Sequence, residues 1–404
     1  MVVGIEGKES IMRRVIVFSK RKEICYDSMN SFLDRISRIM IGNGIEVVTF
    51  DAENVDGSEI FMCIKNSGEV DLAFSLNAGC ELQIRYNGRN IWDMTGIPFY
   101  NLILDSPVEK NITMAIQLHD YHVICLDRNH VRFLEKYRPN IHAHFLPLAG
   151  TADIKRADSY EAFKNRKYDL MFAGTGYDMK KLEDEIMQFP TQIRKLVISH
   201  IDYMLSHRGD TVEQGLRVVL RDMGVSDSDH DIFLKCLQVT AVTTIFLRGL
   251  YREEVIKSLL KSGIHFHIFG NGWDGLLRRY PGCNVAIHGP VQFVQSIELF
   301  RETKLSLNVM PLFKDGMHDR IPTSMLNGAA VLTDHSAYLD ENLKDYLNFY
   351  DIETPECVGE IAMVLLDDLE GIYDRVEKAW IYAWDHMSWE CYAAKLMKIM
   401  KIEQ

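Results

Sequence analysis

Short apolar runs that alternate with amphipathic segments constrain the fold of this chain most. Residues 14–51 carry the run RVIVFSK, a helical segment from about Asp27 to Ile41 that ends near two glycines, and the run IEVVTFD. A strand, a helix and a second strand in this order form a βαβ unit with parallel strands. The alternation continues through DLAFSLNAG, IPFYNLILDSP and YHVICLD, and it begins again at YDLMFAGTGYD. The sequence therefore predicts an α/β protein.

The length of the chain and a change in its composition predict two domains. At 404 residues the chain exceeds one typical hydrophobic core, because domains usually hold about 100–200 residues. A polar and charged stretch over residues 151–167 separates the two series of apolar runs. We expect one Rossmann-like domain over residues 1–155 and a second over residues 156–385, followed by a terminal helix over residues 386–404. Residues from about 179 to 247 show only helical periodicity, which predicts a helical insertion in the second domain.

Charge and cysteine content exclude several classes of protein. A formal net charge of −12 disfavours a nucleic-acid partner, which needs a basic surface to displace counterions. The eight cysteines follow no metal-binding or disulfide spacing, so we expect reduced thiols in a cytoplasmic protein. The first 14 residues hold too short an apolar run for a signal peptide, and no segment has the length of a transmembrane span. Motifs of serine hydrolases, zinc proteases and P-loop enzymes are absent from the sequence.

The stretch of residues 305–334 carries the clearest candidate site. Its sequence, LSLNVMPLFKDGMHDRIPTSMLNGAAVLTD, predicts a strand, a polar loop, a short helix from Pro322 to Gly328 and a second strand. Ligands of parallel α/β sheets bind beyond the carboxyl ends of strands, which is where the polar loop falls. Its His318 and Arg320, next to the start of a helix, suit an anion such as a diphosphate. The alternative is that the loop is only a solvated turn.

This stretch resembles the carboxyl-terminal domain of the CgeB-like (spore-maturation-type) glycosyltransferases. The segments LILDSP, ICLDRNHVRFLEKYRPNI and HFLPLAG resemble the amino-terminal half of the same family. The resemblance implies the GT-B fold, in which two Rossmann-like domains face a cleft and a terminal helix crosses back to the first domain. It also implies transfer of a sugar from a nucleotide-diphosphate donor to a hydroxyl of a glycan, a protein or a small molecule.

The resemblance assigns roles to several residues of the polar loop. Many GT-B enzymes carry two acidic residues eight positions apart, the first facing the donor sugar and the second holding the ribose hydroxyls. Asp315 falls on the first position, with Gly316 beside it, but the second position is Thr323, whose hydroxyl lacks the charge of a carboxylate. Arg320 and His318 are expected to stabilise the leaving diphosphate without a metal ion or a cofactor.

A glycine-rich motif follows another predicted strand of the second domain. The run GNGWDG matches the G-x-G-x-x-G dinucleotide fingerprint. That fingerprint needs an acidic residue after the next strand, whereas NVAIHGPV ends in His, Gly and Pro, so no nicotinamide cofactor is expected. The resemblance instead places this loop and the HGPV turn beside the nucleotide base, where glycine permits close approach and an indole covers an aromatic face. The residues implied are Gly270, Gly272, Trp273, His288 and Gly289.

Two further groups are candidates for holding the phosphates of the donor. The run AGTG follows a predicted strand, and its backbone N–H groups either face a phosphate or form a plain strand-to-helix turn. Its candidate residues are Gly174, Thr175 and Gly176. Arg248 and Arg252 share one face of a predicted helix, where they either bind phosphate or form surface ion pairs.

Asp105 is the candidate general base of the first domain. It falls at the end of LILDSP, at the expected mouth of the domain, where a carboxylate can accept the proton of an acceptor hydroxyl. The alternative is that Asp105 caps the helix that follows.

Histidine pairs on three predicted strands are not expected to bind a metal. Each pair lacks a third ligand nearby in the sequence, so packing of the imidazoles is the preferred interpretation. The pairs are His119 with His122, His142 with His144, and His265 with His267.

Two other functions remain open at the level of the sequence. A nucleotide-sugar epimerase shares the architecture, and a non-catalytic protein that binds a glycan or a nucleotide sugar is compatible with the missing second acid at Thr323. The helical insertion forms a packing surface, a homodimer contact or an acceptor-binding surface.

Overall fold

Two six-stranded parallel sheets form the frame of the chain. The computed structural model describes residues 13–66, 70–153, 155, 158–226 and 229–403. The first sheet contains β1 (Arg14–Ser19), β2 (Glu46–Asp51) and β3 (Leu72–Leu76), and a small antiparallel hairpin of β4 (Arg85–Tyr86) and β5 (Arg89–Asn90) follows β3. Its remaining strands are β6 (Phe99–Ile103), β7 (Tyr121–Cys125) and β8 (His142–Phe145). The strand order is β2-β1-β3-β6-β7-β8.

Helices connect the strands of the first sheet. They are α1 (Ser28–Gly42), α2 (Gly57–Asn66), α3 (Ile91–Thr95), α4 (Asn111–Met114) and α5 (Arg128–Tyr137). Along β1 the side chains alternate between two apolar clusters, since Ile16 and Phe18 belong to one and Val15 and Val17 to the other. Both faces of the sheet are therefore covered.

The second sheet repeats this plan. Its strands are β9 (Tyr168–Ala173), β10 (Phe266–Phe269), β11 (Val285–His288), β12 (Thr303–Leu307), β13 (Ala330–Asp334) and β14 (Asn348–Tyr350). The strand order is β11-β10-β9-β12-β13-β14.

The helices of the second half lie mostly between these strands. They are α6 (Tyr160–Lys164), α7 (Met179–Met187), α8 (Thr191–Ser206), α9 (Val212–Asp222), α10 (His230–Val239), α11 (Val242–Ser262), α12 (Asp274–Arg279), α13 (Phe293–Arg301), α14 (Arg320–Leu326), α15 (Ala337–Asn342), α16 (Val358–Asp367), α17 (Leu369–His386) and α18 (Trp389–Met400). The predicted α/β class with two Rossmann-like sheets is confirmed.

The apolar composition of the central strands follows from their position. Every residue of β3, β6, β7 and β13 is buried. A parallel sheet covered by helices on both faces needs such near-continuous apolar strands, because neither side of the strand reaches water.

The stretch of residues 305–334 has the predicted order of elements with shifted bounds. The strand β12 ends at Leu307 rather than Met310, whose N–H donates to the side chain of Asp334 at 2.8 Å. The helix α14 begins at Arg320, so Pro322 lies within its first turn instead of starting it. Arg320 is therefore part of the helix and does not precede it.

The predicted helical insertion is present as α7 to α10 and the first part of α11, and it packs on the first domain. Phe233 of α10 stacks on Tyr137 of α5 with ring centroids 5.1 Å apart. The Tyr137 hydroxyl donates to Glu213 of α9 at 2.9 Å. The insertion therefore contributes a packing surface between the two halves of the chain.

The chain ends in two helices, α17 and α18, and α18 falls within the predicted terminal helix of residues 386–404. The break falls at Met387 and Ser388, where the Ser388 side chain caps α18 by accepting from the Cys391 N–H. The helix α18 returns to the first sheet, since Trp389 packs against Phe32 of α1 with ring centroids 5.5 Å apart. The Trp389 Nε1–H also donates to Thr151 at 3.0 Å.

The expectation that the chain has no signal peptide concerns residues 1–14, most of which lie outside the described residues, which begin at residue 13.

The expectation that no segment spans a membrane concerns the described helices. Among them, no single helix combines the length and apolar character needed to cross a bilayer. Only the pair α10 and α11, bent by 47°, meets that test when its two helices are taken together.

Folding stability is predicted to fall between pH 6.5 and pH 4 because of His200. This imidazole is 1% exposed, its Nε2 lies 2.9 Å from the Val212 carbonyl oxygen, and burial lowers its pKa from 6.5 to about 4. The unfolded chain therefore binds the extra proton first, and the free energy of unfolding drops by roughly 3 kcal/mol as the pH falls through this window.

Urea unfolding of wild type and His200→Gln from pH 7 to pH 4 measures this effect. The variant should show a shallower loss of stability in acid, while the exposed His207 of the same insertion, changed to Gln, serves as the control. Equal pH dependence in wild type and His200→Gln would refute the assignment.

Candidate active site

A cavity of about 380 Å³ lies between the carboxyl ends of the two sheets. The first domain contributes the segments that follow β1 and β6, including Tyr26 and Asp105. The second domain contributes the segments that follow β9, β10 and β12, including Thr175, Gly270 and His318. Loops at the carboxyl ends of parallel strands from both sheets thus converge on one chamber, which is the expected ligand position in such sheets.

Three arginines line one side of the cavity. Arg248 and Arg252 come from α11, and Arg320 begins α14. The Arg252 Nη1 donates to the Thr175 carbonyl oxygen at 2.9 Å, but its buried Nε has no partner. Burial, together with the positive charge of Arg320, lowers the pKa of Arg252. The Thr175 carbonyl thus anchors the Arg252 guanidinium at the cavity, and the Nε–H of Arg252 is left without an acceptor.

Arg320 is the least compensated of the three cations. Its guanidinium makes no salt bridge within the described ranges, and its buried Nη1 has no hydrogen-bond partner. Burial lowers the pKa of Arg320. A buried N–H group without a hydrogen-bond partner costs stability, and a ligand anion would supply the missing acceptor.

Among the described residues, no carboxylate of the cavity wall forms a salt bridge with Arg252 or Arg320, although Asp319 acts electrostatically on Arg320. Each of these carboxylates is engaged by another group: Glu109 with Arg248, Asp105 with Lys110, and Asp319 with His318. The Glu109–Arg248 pair joins the two domains, and burial raises the pKa of the Glu109 carboxyl. Arg252 and Arg320 therefore keep hydrogen-bonding capacity for a ligand, and the Asp319 carboxylate offsets part of the charge of Arg320.

His318 and Asp319 form a contact next to these cations. The His318 Nδ1 lies 2.8 Å from the Asp319 carboxylate. Burial and the positive charge of Arg320 lower the pKa of the His318 imidazole, which favours its neutral form. Although burial works in the opposite direction, contact with His318 keeps the pKa of the Asp319 carboxyl below its ordinary value. A neutral imidazole oriented by a carboxylate can donate or accept one proton at Nε2.

The glycine-rich turns after β9 and β10 pack closely against each other and form part of the cavity wall. Gly270 and Gly272 adopt φ values of 151° and 86°, and a Cβ on either would lie 2.3 Å from a carbonyl oxygen of the AGTG turn. Gly174, Thr175 and Gly270 reach the cavity, whereas Gly176 and Gly272 do not. The two that do not reach it serve the contact between the turns.

Trp273 is a structural residue rather than a cover for the base. It is 3% exposed, and its Nε1–H donates to the Gly174 carbonyl oxygen at 2.9 Å. The indole therefore stabilises the turn that carries Gly174 and Thr175, and it does not line the cavity, contrary to what the family resemblance implies.

His288 and Gly289 also lie outside the cavity. The His288 ring stacks on Phe269 at 4.3 Å and its Nε2 lies 3.0 Å from His267 Nδ1. The next two residues, Pro290 and Val291, line the cavity in their place. The turn is thus where the sequence predicts it, but its contact with the cavity begins one residue later.

Asp315 and Gly316 connect the domains instead of lining the cavity. The Asp315 carboxylate lies 3.1 Å from Arg132 and 3.5 Å from Arg128, both on α5, and its N–H donates to Asp127 at 2.9 Å. Gly316 forms an antiparallel bridge with Asp127, and a Cβ there would lie 2.2 Å from the Leu126 carbonyl oxygen. Asp315 is therefore not among the residues that line the cavity.

Thr323 lies at the edge of the cavity in a structural contact. It is 1% exposed, and its Oγ1 accepts from the Thr151 N–H at 3.1 Å. Asn327 of the same region donates to the Thr151 carbonyl oxygen at 2.8 Å. Thr323 therefore binds the segment that connects the two domains at Thr151. Its hydroxyl oxygen accepts one backbone hydrogen bond there, which a neutral side chain can do.

Asp105 lines the cavity, and it does not cap the helix after it. Its carboxylate accepts from the Asn77 side chain at 3.1 Å and lies 3.2 Å from the Lys110 Nζ. The candidate base thus remains in the chamber, on the wall of the first domain.

Several residues of the cavity were not selected as site residues from the sequence. Arg252 was considered but left among surface ion pairs, while Tyr177, Glu109 and Asp319 were not considered. The i, i+4 spacing of Arg248 and Arg252 on one long helix was the available signal. Glu109 could not be found in this way, because it meets Arg248 only across the domains.

One family model matches the second half of the chain. The family described as glycosyl transferase-like covers residues 251–382, which include Arg252, His318 and Arg320. Comparison with curated protein sequences gives no significant match.

Solved structures similar in fold extend over nearly the whole chain. Sucrose-phosphate synthase from Thermosynechococcus elongatus aligns with a TM-score of 0.58 at 9% identity, covering 96% of this chain and 98% of the other. The Anabaena protein Alr3699/HepE, solved in complex with UDP and glucose, aligns with a TM-score of 0.58 at 10% identity and covers 96% and 99%. At these identities the likeness shows the GT-B fold alone.

The family match and the fold lead to one conclusion. Residues 251–382 carry the glycosyl transferase-like domain, and two Rossmann-like domains face a cavity in the GT-B arrangement. The chain therefore has the GT-B fold, and part of its second domain is similar to the glycosyl transferase-like family.

Proposed function

We propose that the protein transfers a sugar from a nucleoside-diphosphate donor to an acceptor hydroxyl, without a metal ion. The observation that carries this proposal is the pair of guanidinium groups, Arg252 and Arg320, that face the cavity without a carboxylate partner. A diphosphate esterified at both ends carries two negative charges, which matches these two cations. Charge-assisted hydrogen bonds from arginine to phosphate are among the stronger polar contacts in proteins.

The donor class rests on the cavity and on one structural relative. The Anabaena relative is described as a complex with UDP and glucose, so UDP-sugars are the first donors to examine. Apolar residues of the cavity, including Phe269 and Val291, offer surfaces for a base and a sugar ring. The proposal also places the protein in the CgeB-like branch of these enzymes. It further includes a cytoplasmic location, which the eight free cysteines support.

Departure of the nucleoside diphosphate is the step that the arginines assist. Negative charge grows on the leaving phosphate as the bond to the anomeric carbon breaks, and Arg252 and Arg320 already line the cavity before a ligand binds. Preorganised cations of this kind stabilise a transition state because they need no reorganisation during the reaction. The His318 Nε2 can add a hydrogen bond to the departing group or to the sugar.

The acceptor side is formed by the first domain. Asp105 stands on that wall and is the candidate base for the acceptor hydroxyl, while Lys110 and Asn77 hold its carboxylate in place. Tyr26 and Phe32 form apolar surface next to it. A glycan, a protein side chain or a small molecule with a free hydroxyl is the proposed acceptor.

Substitution of Arg320 by Ala should weaken binding of a nucleoside diphosphate while leaving the fold intact. Loss of one charged hydrogen bond costs roughly 1.5–3 kcal/mol, or about one to two powers of ten in Kd. Because the free protein holds this cation without an ion pair, its removal should not lower the thermal stability. Calorimetry with UDP on wild type and Arg320→Ala measures the effect.

Arg38→Ala is the matched control for this experiment. Its guanidinium is 77% exposed on α1 and pairs with Asp34 four residues earlier, so UDP affinity should stay at the wild-type value. Unchanged affinity in Arg320→Ala would remove the basis of the proposal. Incubating the donor without an acceptor tests for the epimerase alternative, because only an epimerase would convert it.

Asp315→Asn should reduce affinity for a UDP-sugar and for UDP by the same factor. The carboxylate faces Arg132 and Arg128 across the domains, so its loss affects domain contact and not sugar recognition. Both arginines are partly exposed, and we expect a loss of folding stability of about 1 kcal/mol or less. A decrease in affinity confined to the UDP-sugar would instead assign Asp315 to the donor sugar, as the family resemblance implies.

Transfer should continue after treatment with EDTA. Of the three carboxylates of the cavity, Glu109 pairs with Arg248 and Asp105 with Lys110. Asp319 contacts His318, so no pair of free carboxylates is left to hold a divalent ion beside the diphosphate. The rate of sugar transfer before and after EDTA, with and without added Mn²⁺, is the measurement. Loss of activity that Mn²⁺ restores would contradict the metal-independent mechanism.

A further inference from the structure

Three side chains converge at the amino-terminal end of β7 and β8, away from the cavity. Asp120, His122 and His142 place one ligand atom each so that all three lie within 4.8 Å of one another. The Asp120 Oδ1 is 2.9 Å from the His122 Nε2 and 4.0 Å from the His142 Nε2. Within the described ranges, no other group of three or more His, Cys, Asp or Glu side chains converges in this way.

The sheet register produces this convergence. His122 of β7 and His142 of β8 are direct partners in the parallel ladder, so their side chains stand on the same face. Asp120 immediately precedes β7 and lies beside both imidazoles. A sequence separation of about twenty residues hides the pairing, which explains why the histidines were assigned to packing from the sequence.

We propose that Asp120, His122 and His142 bind one divalent transition-metal ion. Zn²⁺ is the ion whose coordination distances are compared with the site and the ion used to test it. Imidazole and carboxylate are common ligands of Zn²⁺, and ligand atoms about 2.0–2.1 Å from a tetrahedral ion lie about 3.3 Å from one another. The separations in the empty protein bracket this value. The His142 side chain is 62% exposed and that of Asp120 38%, so the ion can enter and one position stays open to water.

A supporting contact strengthens this assignment. The His122 Nδ1 lies 3.0 Å from the His144 Nε2, which directs the His122 Nε2 towards Asp120 and the ion. Imidazoles that bind metals usually donate their second N–H to an acceptor, most often a carboxylate, a backbone carbonyl or water, and here the His144 Nε2 takes that place. Tyr100 stacks on His122 at 4.1 Å and holds the plane of the ring. His144 is therefore a positioning residue for His122.

The second sheet offers a comparison within the same chain. His265, His267 and His288 also lie together, with 3.0 Å between His267 Nδ1 and His288 Nε2. No carboxylate completes that group among the described residues, and the positive charge of Lys167 acts on His267 and His288. The same residue type on adjacent strands is thus not expected to form a tight site there.

The proposed ion has a structural role and is independent of sugar transfer. β7 and the residues around it run from Asp120 to Leu126 at the cavity, which at about 3.3 Å per residue separates the two sites by roughly 20 Å. The ion would join β8, the edge strand of the first sheet, to its neighbour β7. Removing it should lower thermal stability and leave the transfer rate unchanged.

Calorimetric titration of the EDTA-treated full chain with Zn²⁺ tests the site. Wild type should bind one Zn²⁺ ion tightly. Loss of a supporting partner typically lowers metal affinity 10- to 100-fold, and His142→Ala and Asp120→Asn should each lower Zn²⁺ affinity by at least this factor. His144→Gln should lower Zn²⁺ affinity by a factor within that range. Mg²⁺, which prefers oxygen ligands, should not compete at equal concentration.

His265→Ala, an exposed histidine of the second sheet, is the matched control and should bind Zn²⁺ as wild type does. Thermal unfolding without metal establishes that the variants fold, and His142 and Asp120 are exposed enough for this to be expected. Equal Zn²⁺ affinity in wild type, His142→Ala and Asp120→Asn, or no tight binding by wild type, would overturn the proposal. Neither outcome depends on the sugar donor, so the proposed transferase function is tested separately.

Discussion

Contacts between the domains hold the carboxyl ends of the two sheets opposite each other, and the cavity exists only because of them. Gly316 forms a bridge with Asp127 at a distance that leaves no room for a side chain. The Asp315 carboxylate forms an ion pair with Arg132 at 3.1 Å, and Glu109 forms an ion pair with Arg248 at the cavity itself. These contacts are partly polar and partly exposed, which suits domains that open and close over a substrate.

Buried positive charge is the main chemical property of the cavity. Burial lowers the pKa of both Arg252 and Arg320, and neither guanidinium forms a salt bridge among the described residues. Such an arrangement is unfavourable in the free protein and becomes favourable when a ligand brings negative charge. The same environment would stabilise the charge that develops on a leaving diphosphate. The arginines therefore connect the fold to the proposed reaction.

Local patterns in the sequence predicted the elements, and contacts across the chain decided the roles of residues. The order of strands and helices followed from alternation of apolar runs, because burial on both faces of a sheet leaves a strong local signal. Trp273, Gly272 and Asp315 each belonged to a recognisable motif, yet each makes a structural contact. A motif gives the position of a loop, whereas the direction of a side chain depends on partners that are distant in sequence. The same limit applied to Asp120, His122 and His142, whose proximity results from strand register.

The dependence of affinity on phosphate charge tests the central claim most directly. Calorimetry with uridine, UMP and UDP on wild type and Arg252→Gln would separate the contribution of the phosphates from that of the base. We predict that UDP binds wild type at least about tenfold more tightly than uridine, as one charged hydrogen bond alone would provide, and that Arg252→Gln narrows this difference. Equal affinity of wild type for uridine and UDP, or a preference for UDP that Arg252→Gln leaves unchanged, would contradict a cavity built to hold a diphosphate.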